Sequence, residues 1–205
     1  MKKIELFAGM MPLKTKDGVL SNCPFITYKD MAVVLRSGND EAGYGVFSYP
    51  ALRFLEECAG KKLPITGEMI AQFVKKTAER YPAVIKPAEE FSDADDSFGF
   101  DNEMVVFNEM PGGAVTILYP GVIEEIADKL GGDYWILPYS TDFMIVVPDN
   151  EKNNRKIELI EKAFPSLADR EDFLSEKIYH YDVRSGKVQD IETWKLVVYL
   201  RSIAL

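Results

Sequence analysis

Apolar and polar positions recur along this chain in one order: an extended apolar run, a turn cluster, a second extended run, then a segment with helical spacing. The first instance opens with Met31-Ala32-Val33-Val34-Leu35, turns at Ser37-Gly38-Asn39-Asp40 and resumes with Tyr44-Gly45-Val46-Phe47-Ser48. β-Branched and aromatic residues on either side of a Gly/Asn/Asp cluster predict a hairpin. Pro50 then stands where a first helical turn tolerates a missing N–H, Leu52, Leu55 and Ala59 follow at helical spacing, and Gly60 closes the segment.

A second copy starts at Met104-Val105-Val106-Phe107, turns at Pro111-Gly112-Gly113 and resumes with Ala114-Val115-Thr116-Ile117-Leu118. Its helix carries Val122, Ile123, Ile126, Ala127 and Leu130 on one face and stops at Gly131-Gly132. An alternative stays open here, in which Ile117-Leu118 begins an early helix kinked at Pro120. The third copy pairs Tyr134-Trp135-Ile136-Leu137 with Phe143-Met144-Ile145-Val146-Val147 across the tip Pro138 to Asp142. Pro148 cannot donate to a ladder and ends the strand; Asp149 and Asn150 are cap candidates for a helix bearing Ile157, Ile160 and Phe164. A fourth copy reads Lys177 to Asp182, turn Arg184-Ser185-Gly186, Lys187 to Ile191, then a closing helix with Trp194, Val197, Val198 and Arg201.

Two segments depart from the phrase. Leu63 to Tyr81 predicts an amphipathic helix with Thr66 as N-cap and Met69, Ile70, Phe73, Val74 and Ala78 inward. Residues 83–101 show no periodicity and read as a linker or loop. The fold class is therefore α+β, a mainly antiparallel sheet built from strand-strand-helix units with helices packed on it. Two halves, 1–90 and 91–205, joined by the loop 83–101, fit this pattern, as does one continuous domain.

Composition narrows the picture. The 205 residues are 47% hydrophobic and 28% charged, which excludes disordered, collagenous and disulfide-scaffold classes. Cys23 and Cys58 are too few for a secreted framework and have no metal-site spacing. Lys2-Lys3 followed by Ile4, Leu6, Phe7 and Ala8 has the look of a signal peptide, but Glu5 interrupts it and Pro12 and Lys14 end it early. A cytoplasmic location is expected. No apolar run approaches the roughly 20 residues of a membrane span, so no membrane partner is expected. Residues 1–90 hold 13 Lys/Arg against 11 Asp/Glu, whereas residues 91–205 hold 11 against 22. That acidic balance argues against nucleic acid, which needs a positive surface to displace counterions.

The pieces Gly113-Ala114 with Leu118-Tyr119, Ile136 to Phe143, and Leu174-Ser175-Glu176-Lys177-Ile178-Tyr179-His180-Tyr181-Asp182 occur in order. In this they resemble an uncharacterised family of gut clostridia, whose members carry an Ile-Leu-Pro-Ser-Ser-x-His-Glu strand. The resemblance covers about residues 104–190 and implies a shared fold and a bacterial cytoplasmic setting, with no activity attached. Where that family has Ser, His and Glu, this chain has Tyr139, Asp142 and Phe143, and it keeps Ser140.

Candidate chemistry is sparse. His180 is the only histidine, and period two sets it on one strand face with Asp182 while Tyr179 and Tyr181 take the other. With Ser140 or Asp142 from the hairpin tip this makes a weak hydrolase set, although no Gly-x-Ser-x-Gly elbow supplies a nucleophile. A polar surface strand is the plainer reading of residues 179–182. Cys23 with His180 as base is a further, weaker pairing. Asp93, Asp95 and Asp101 in an acidic loop could hold a hard cation, but Phe98 and Met104 stand where an EF-hand needs Gly and Glu. Gly112-Gly113 lacks a phosphate-cradle motif and reads as a turn. No cofactor is expected. The tyrosine-rich strands and the lack of an assembled catalytic set favour a non-catalytic module that binds a protein partner or itself through a sheet face or edge. The alternatives are the Ser140/Asp142/His180/Asp182 hydrolase and the acidic-loop cation binder.

Overall fold

The computed structural model describes residues 5–14, 18–39, 43–60, 62, 65–91, 98–170, 172–193 and 195. The fold is α+β, with two sheets whose strand pairs are antiparallel. The first sheet joins β1 (Glu5–Pro12), β2 (Phe25–Tyr28), β3 (Met31–Asn39) and β4 (Gly43–Val46), with β3 central. The second runs β10-β9-β7-β8-β6-β5, from β5 (Val84–Pro87), β6 (Met104–Phe107), β7 (Tyr134–Leu137), β8 (Phe143–Pro148), β9 (Tyr179–Asp182) and β10 (Lys187–Asp190).

Helices form where local chemistry starts and stops them. In α1 (Tyr49–Ala59), Ser48 accepts from the Ala51 amide and Gly60 closes the helix at φ 63°. Thr66 Oγ1 accepts from Met69 N at 3.2 Å to open α2 (Gly67–Arg80). Glycines bracket α3 (Val122–Leu130), and Asn150 Oδ1 accepts from Asn153 N at 2.9 Å to cap α4 (Glu151–Ala163). The closing helix around Trp194, Val197, Val198 and Arg201 lies outside the described residues, as do Leu63 and the side chains of Leu55, Cys58 and Ala59.

One apolar layer joins the two sheets. Met31, Val33 and Leu35 from β3 meet Ile70 and Val74 of α2, Ile126 of α3, Ile136 of β7 and Met144 and Val146 of β8. The opposite face of the second sheet, with Trp135, Leu137, Ile145 and Val147, is covered by Ile157 of α4 and by Phe164 and Phe173. The outer face of the first sheet carries a smaller cluster, Met11, Cys23, Ala32 and Val34. Polar contacts reinforce the packing: Ala8 N donates to Thr77 Oγ1 at 2.9 Å, tying β1 to α2, while Met10 N donates to Gly112 O at 3.1 Å and Ser175 Oγ to Asp30 at 2.8–2.9 Å across the junction between the sheets.

Four elements differ from the sequence expectation. Ala114 to Leu118 is not a strand but part of a 3-10 helix, Gly113–Leu118, that leads through Pro120 into α3, close to the alternative of an early helix. Its β-branched residues fill the inter-sheet layer, and β8 takes the place beside β6 that this segment would have occupied. Burial, not pairing, selected those side chains. Val84–Pro87, inside the segment read as a loop, forms the edge strand β5. The strands β1 and β2 carry no hairpin signal of their own and form against β3.

Gly113 shows how tightly the start of the 3-10 helix packs against the β7–β8 tip and the end of β6. A Cβ there would lie 2.5 Å from Asp142 O and 2.8 Å from Asn108 O, both backbone atoms that cannot swing away. Gly113→Ala is expected to cost about 3 kcal/mol through overpacking, read as a lower urea midpoint at an unchanged slope.

Candidate functional site

The hairpin tip between β7 and β8 was one half of the expected catalytic set. Ser140 is buried, and its Oγ accepts from Asp142 N at 3.2 Å. Asp142 Oδ1 accepts from Gly112 N at 2.7 Å, and Thr141 O accepts from Ala114 N at 3.1 Å. Ser175 N donates to Pro138 O at 3.2 Å on the same tip. The three sequence pieces behind the family resemblance, around Gly113-Ala114, Ser140–Asp142 and Leu174-Ser175, therefore meet at one place. Their polar atoms lock the tip onto the turn before the 3-10 helix.

His180 lies at the other end of the hairpin. It sits in β9 opposite Trp135, while the tip follows Leu137. Trp135 pairs with Val147 and Ser140 N donates to Phe143 O, four residues along β8, so the two are about 13 Å apart at about 3.3 Å per residue. The residues expected to act together are thus divided: Ser140 joins Asp142, but neither joins His180. Asp182, although on the same strand face as His180, accepts from Ser185 N at 2.8 Å and stabilises the β9–β10 turn. The strand is also no polar surface: His180 is 1% exposed and Asp182 3%, because β9 lies between β7 and β10 with both faces covered.

His180 has different partners from those expected. Its Nε2 lies 2.9 Å from Asp149 Oδ2, and the Trp135 ring stands edge-on to the imidazole with centroids 4.7 Å apart. Asp149 Oδ1 accepts from Asn154 Nδ2 at 2.6 Å, and Asn154 Oδ1 accepts from Trp135 Nε1 at 2.7 Å. Asp133 completes the group. Its backbone oxygen accepts from Asp149 N at 2.9 Å, and its Oδ1 accepts from Val183 N at 2.8 Å. Asp133, Asp149 and His180 each place one potential ligand atom within 4.8 Å of the others, and among the described residues this is the group suited to hold a metal ion.

Burial alone raises the Asp149 carboxyl's pKa, but hydrogen bonds from His180 and Asn154, with the imidazole's charge, outweigh it and leave Asp149 below the usual carboxylate range. One signal for this site was legible. Tyr134 pairs with Pro148, so the hairpin register sets residues 133 and 149 side by side. Nothing in the sequence pattern brought β9 next to β7.

The acidic loop is divided as well. Asp93 and Asp95 lie outside the described residues. Asp101 pairs its carboxylate with Lys152, and its backbone is held from both sides by the buried Asn153 amide at 3.0 Å. Glu103, also buried, accepts from Phe98 N and Phe100 N at 3.2 and 3.1 Å. Cys23 is a buried free thiol in the outer cluster of the first sheet, where desolvation raises its pKa and suppresses the thiolate. No described helix is long and apolar enough to cross a membrane.

The sequence model of one protein family, described as a family of unknown function (DUF5688), matches residues 10–183. No curated protein and no solved structure matches the chain.

Two outcomes follow from these bonds. Ser140→Ala leaves the Asp142 amide without its acceptor and is expected to cost about 1–2 kcal/mol in chemical denaturation. Because the folded Asp149 carboxyl titrates below the ordinary aspartate value of 3.8, its stabilisation is complete above that pH and is lost as pH falls through the lower, folded value. Asp149→Asn should therefore lower the melting temperature at neutral pH, and its difference from the parent should close as the pH drops below 3.8.

Proposed function

We propose that this chain, which belongs to the DUF5688 family of unknown function, is a non-catalytic association module that pairs with a second copy of itself through the outer face of its first sheet. The observation that carries this is the thin cover on that face. Phe25 pairs with Val34 and Thr27 with Ala32, so both side chains point to the same side as that small outer cluster. Phe25 is 38% exposed, Thr27 is exposed, and Leu13, Val19, Leu20 and Val46 are only partly buried. Among the described residues, the only helical element in that cluster is the short 3-10 turn Val19–Asn22.

Charge opposes a like partner least on this side. The strands of the first sheet come from residues 1–90, with 13 basic and 11 acidic residues, so two such faces meet without the repulsion that the acidic remainder would impose. A two-fold arrangement uses the same patch on both copies. The absence of catalysis in this reading rests on the division of Ser140 and Asp142 from His180, with Asp182 committed to a turn. Cytoplasmic residence accords with the buried free thiol of Cys23.

Sedimentation velocity tests it. The full chain is expected to sediment as a dimer, and the double variant Phe25→Asp, Thr27→Arg as a folded monomer. A parent chain that stays monomeric across a wide concentration range would overturn the reading.

A further inference from the structure

We propose that Asp133, Asp149 and His180 form a binding site for a divalent transition-metal cation, Zn2+ or Mn2+. The three donor atoms lie within 4.8 Å of one another and come from neighbouring strands of one sheet. Asp149 follows β8, Asp133 precedes β7, and His180 lies in β9 opposite Trp135. All three strands are buried along their length, so the scaffold holds the donors without a loop having to close.

The bonds around the cluster have the form of an orienting outer layer. One oxygen of each carboxylate is held by the fold, Asp133 Oδ1 by Val183 N and Asp149 Oδ1 by Asn154 Nδ2. That fixes the direction of the second oxygen. The backbone bond from Asp149 N to Asp133 O, 2.9 Å, sets the spacing of the two aspartates, and Trp135 fixes both Asn154 and the imidazole plane. Partners of this kind orient ligands and raise metal affinity.

The donor set selects the ion. An imidazole nitrogen suits Zn2+ and other transition metals, two carboxylate oxygens suit Mn2+ as well, and a set containing nitrogen disfavours Ca2+ and Mg2+. Two carboxylates balance the charge of the ion, and three protein donors leave a position for water. Binding exchanges the hydrogen bond between His180 Nε2 and Asp149 for two coordinate bonds. The Nε2 lone pair goes to the ion: a neutral ring moves its single proton from Nε2 to Nδ1, and a doubly protonated ring keeps the Nδ1 proton and releases the Nε2 proton to solvent. This site is independent of the association face, since its three residues lie on the second sheet.

Zn2+ and Mn2+ are the probes, added to the full chain near neutral pH. At free Zn2+ about a hundredfold above its dissociation constant, the melting temperature should rise by about 5 °C or more. His180 is the only histidine, so its imidazole nitrogen resonance reports ligation directly and should move with the same titration. Asp133→Asn can still accept from Val183 N; it should keep the metal-free melting temperature and weaken binding at least about tenfold. Unchanged melting with both ions, a melting shift without movement of the imidazole signal, or equal binding by a folded Asp133→Asn would each overturn the proposal. Should that variant fail to fold, the imidazole signal of the parent chain decides alone.

Discussion

The central strands of the second sheet are buried on both faces, and that single condition dictates most of the polar chemistry in this protein. β7, β8 and β9 offer no residue to solvent along their length. Every polar group at their ends must then find a partner inside the protein, because a buried unsatisfied donor or acceptor costs about 1–3 kcal/mol. At the tip, Asp142 and Ser140 supply acceptors to the amides of Gly112 and Asp142 itself. At the opposite end, Asp149, Asn154 and Trp135 satisfy one another around His180. Asn153 and Glu103 do the same for the chain entering β6.

The same condition explains what the sequence pattern could and could not convey. Caps at Thr66 and Asn150 were legible because a hydroxyl or amide three residues ahead of an amide is a local event. The β7–β8 hairpin was legible because apolar runs flank a Pro/Ser/Thr/Asp cluster and Pro148 ends the ladder. Ala114 to Leu118 misled because β-branched residues fill a buried layer as readily in a 3-10 turn as in a strand. Val84–Pro87 was missed because a four-residue edge strand, half-buried throughout, has no alternation to read. The partner of His180 is 31 residues away in sequence and depends on β9 lying beside β7, a choice of strand order that no local pattern encodes.

Short ordered motifs invite a chemical reading, and here geometry redirects it. Gly113-Ala114, the segment Ser140–Asp142 and Leu174-Ser175 are far apart in the chain, yet their amides, carbonyls and hydroxyls bond to one another or to adjacent turns. Ser175 also reaches Asp30, so the same junction ties the second sheet to the first. A hydroxyl that already accepts an amide at 3.2 Å inside a 2% exposed residue is poorly placed to attack a substrate. Asp142 instead holds the turn: its carboxylate meets the Gly112 amide at 2.7 Å, a charge-assisted acceptor.

The two sheets treat their surfaces in opposite ways. In the second sheet, one face packs on the inter-sheet layer and the other on α4 and its following turn, so apolar area and polar ends alike are committed internally. The first sheet commits only its inner face to the same degree. Its outer cluster has four buried residues, one of them a thiol, with aliphatic neighbours left half-covered beside Phe25. An exposed aromatic on an edge strand is a liability unless something covers it. Acidic residues, which would keep such a face apart from another copy, are concentrated in residues 91–205. Apolar area without like charge beside it favours contact, and apolar area already buried cannot contribute to it, which is why the proposed association is assigned to the first sheet, while the second provides the frame that carries the His180 cluster.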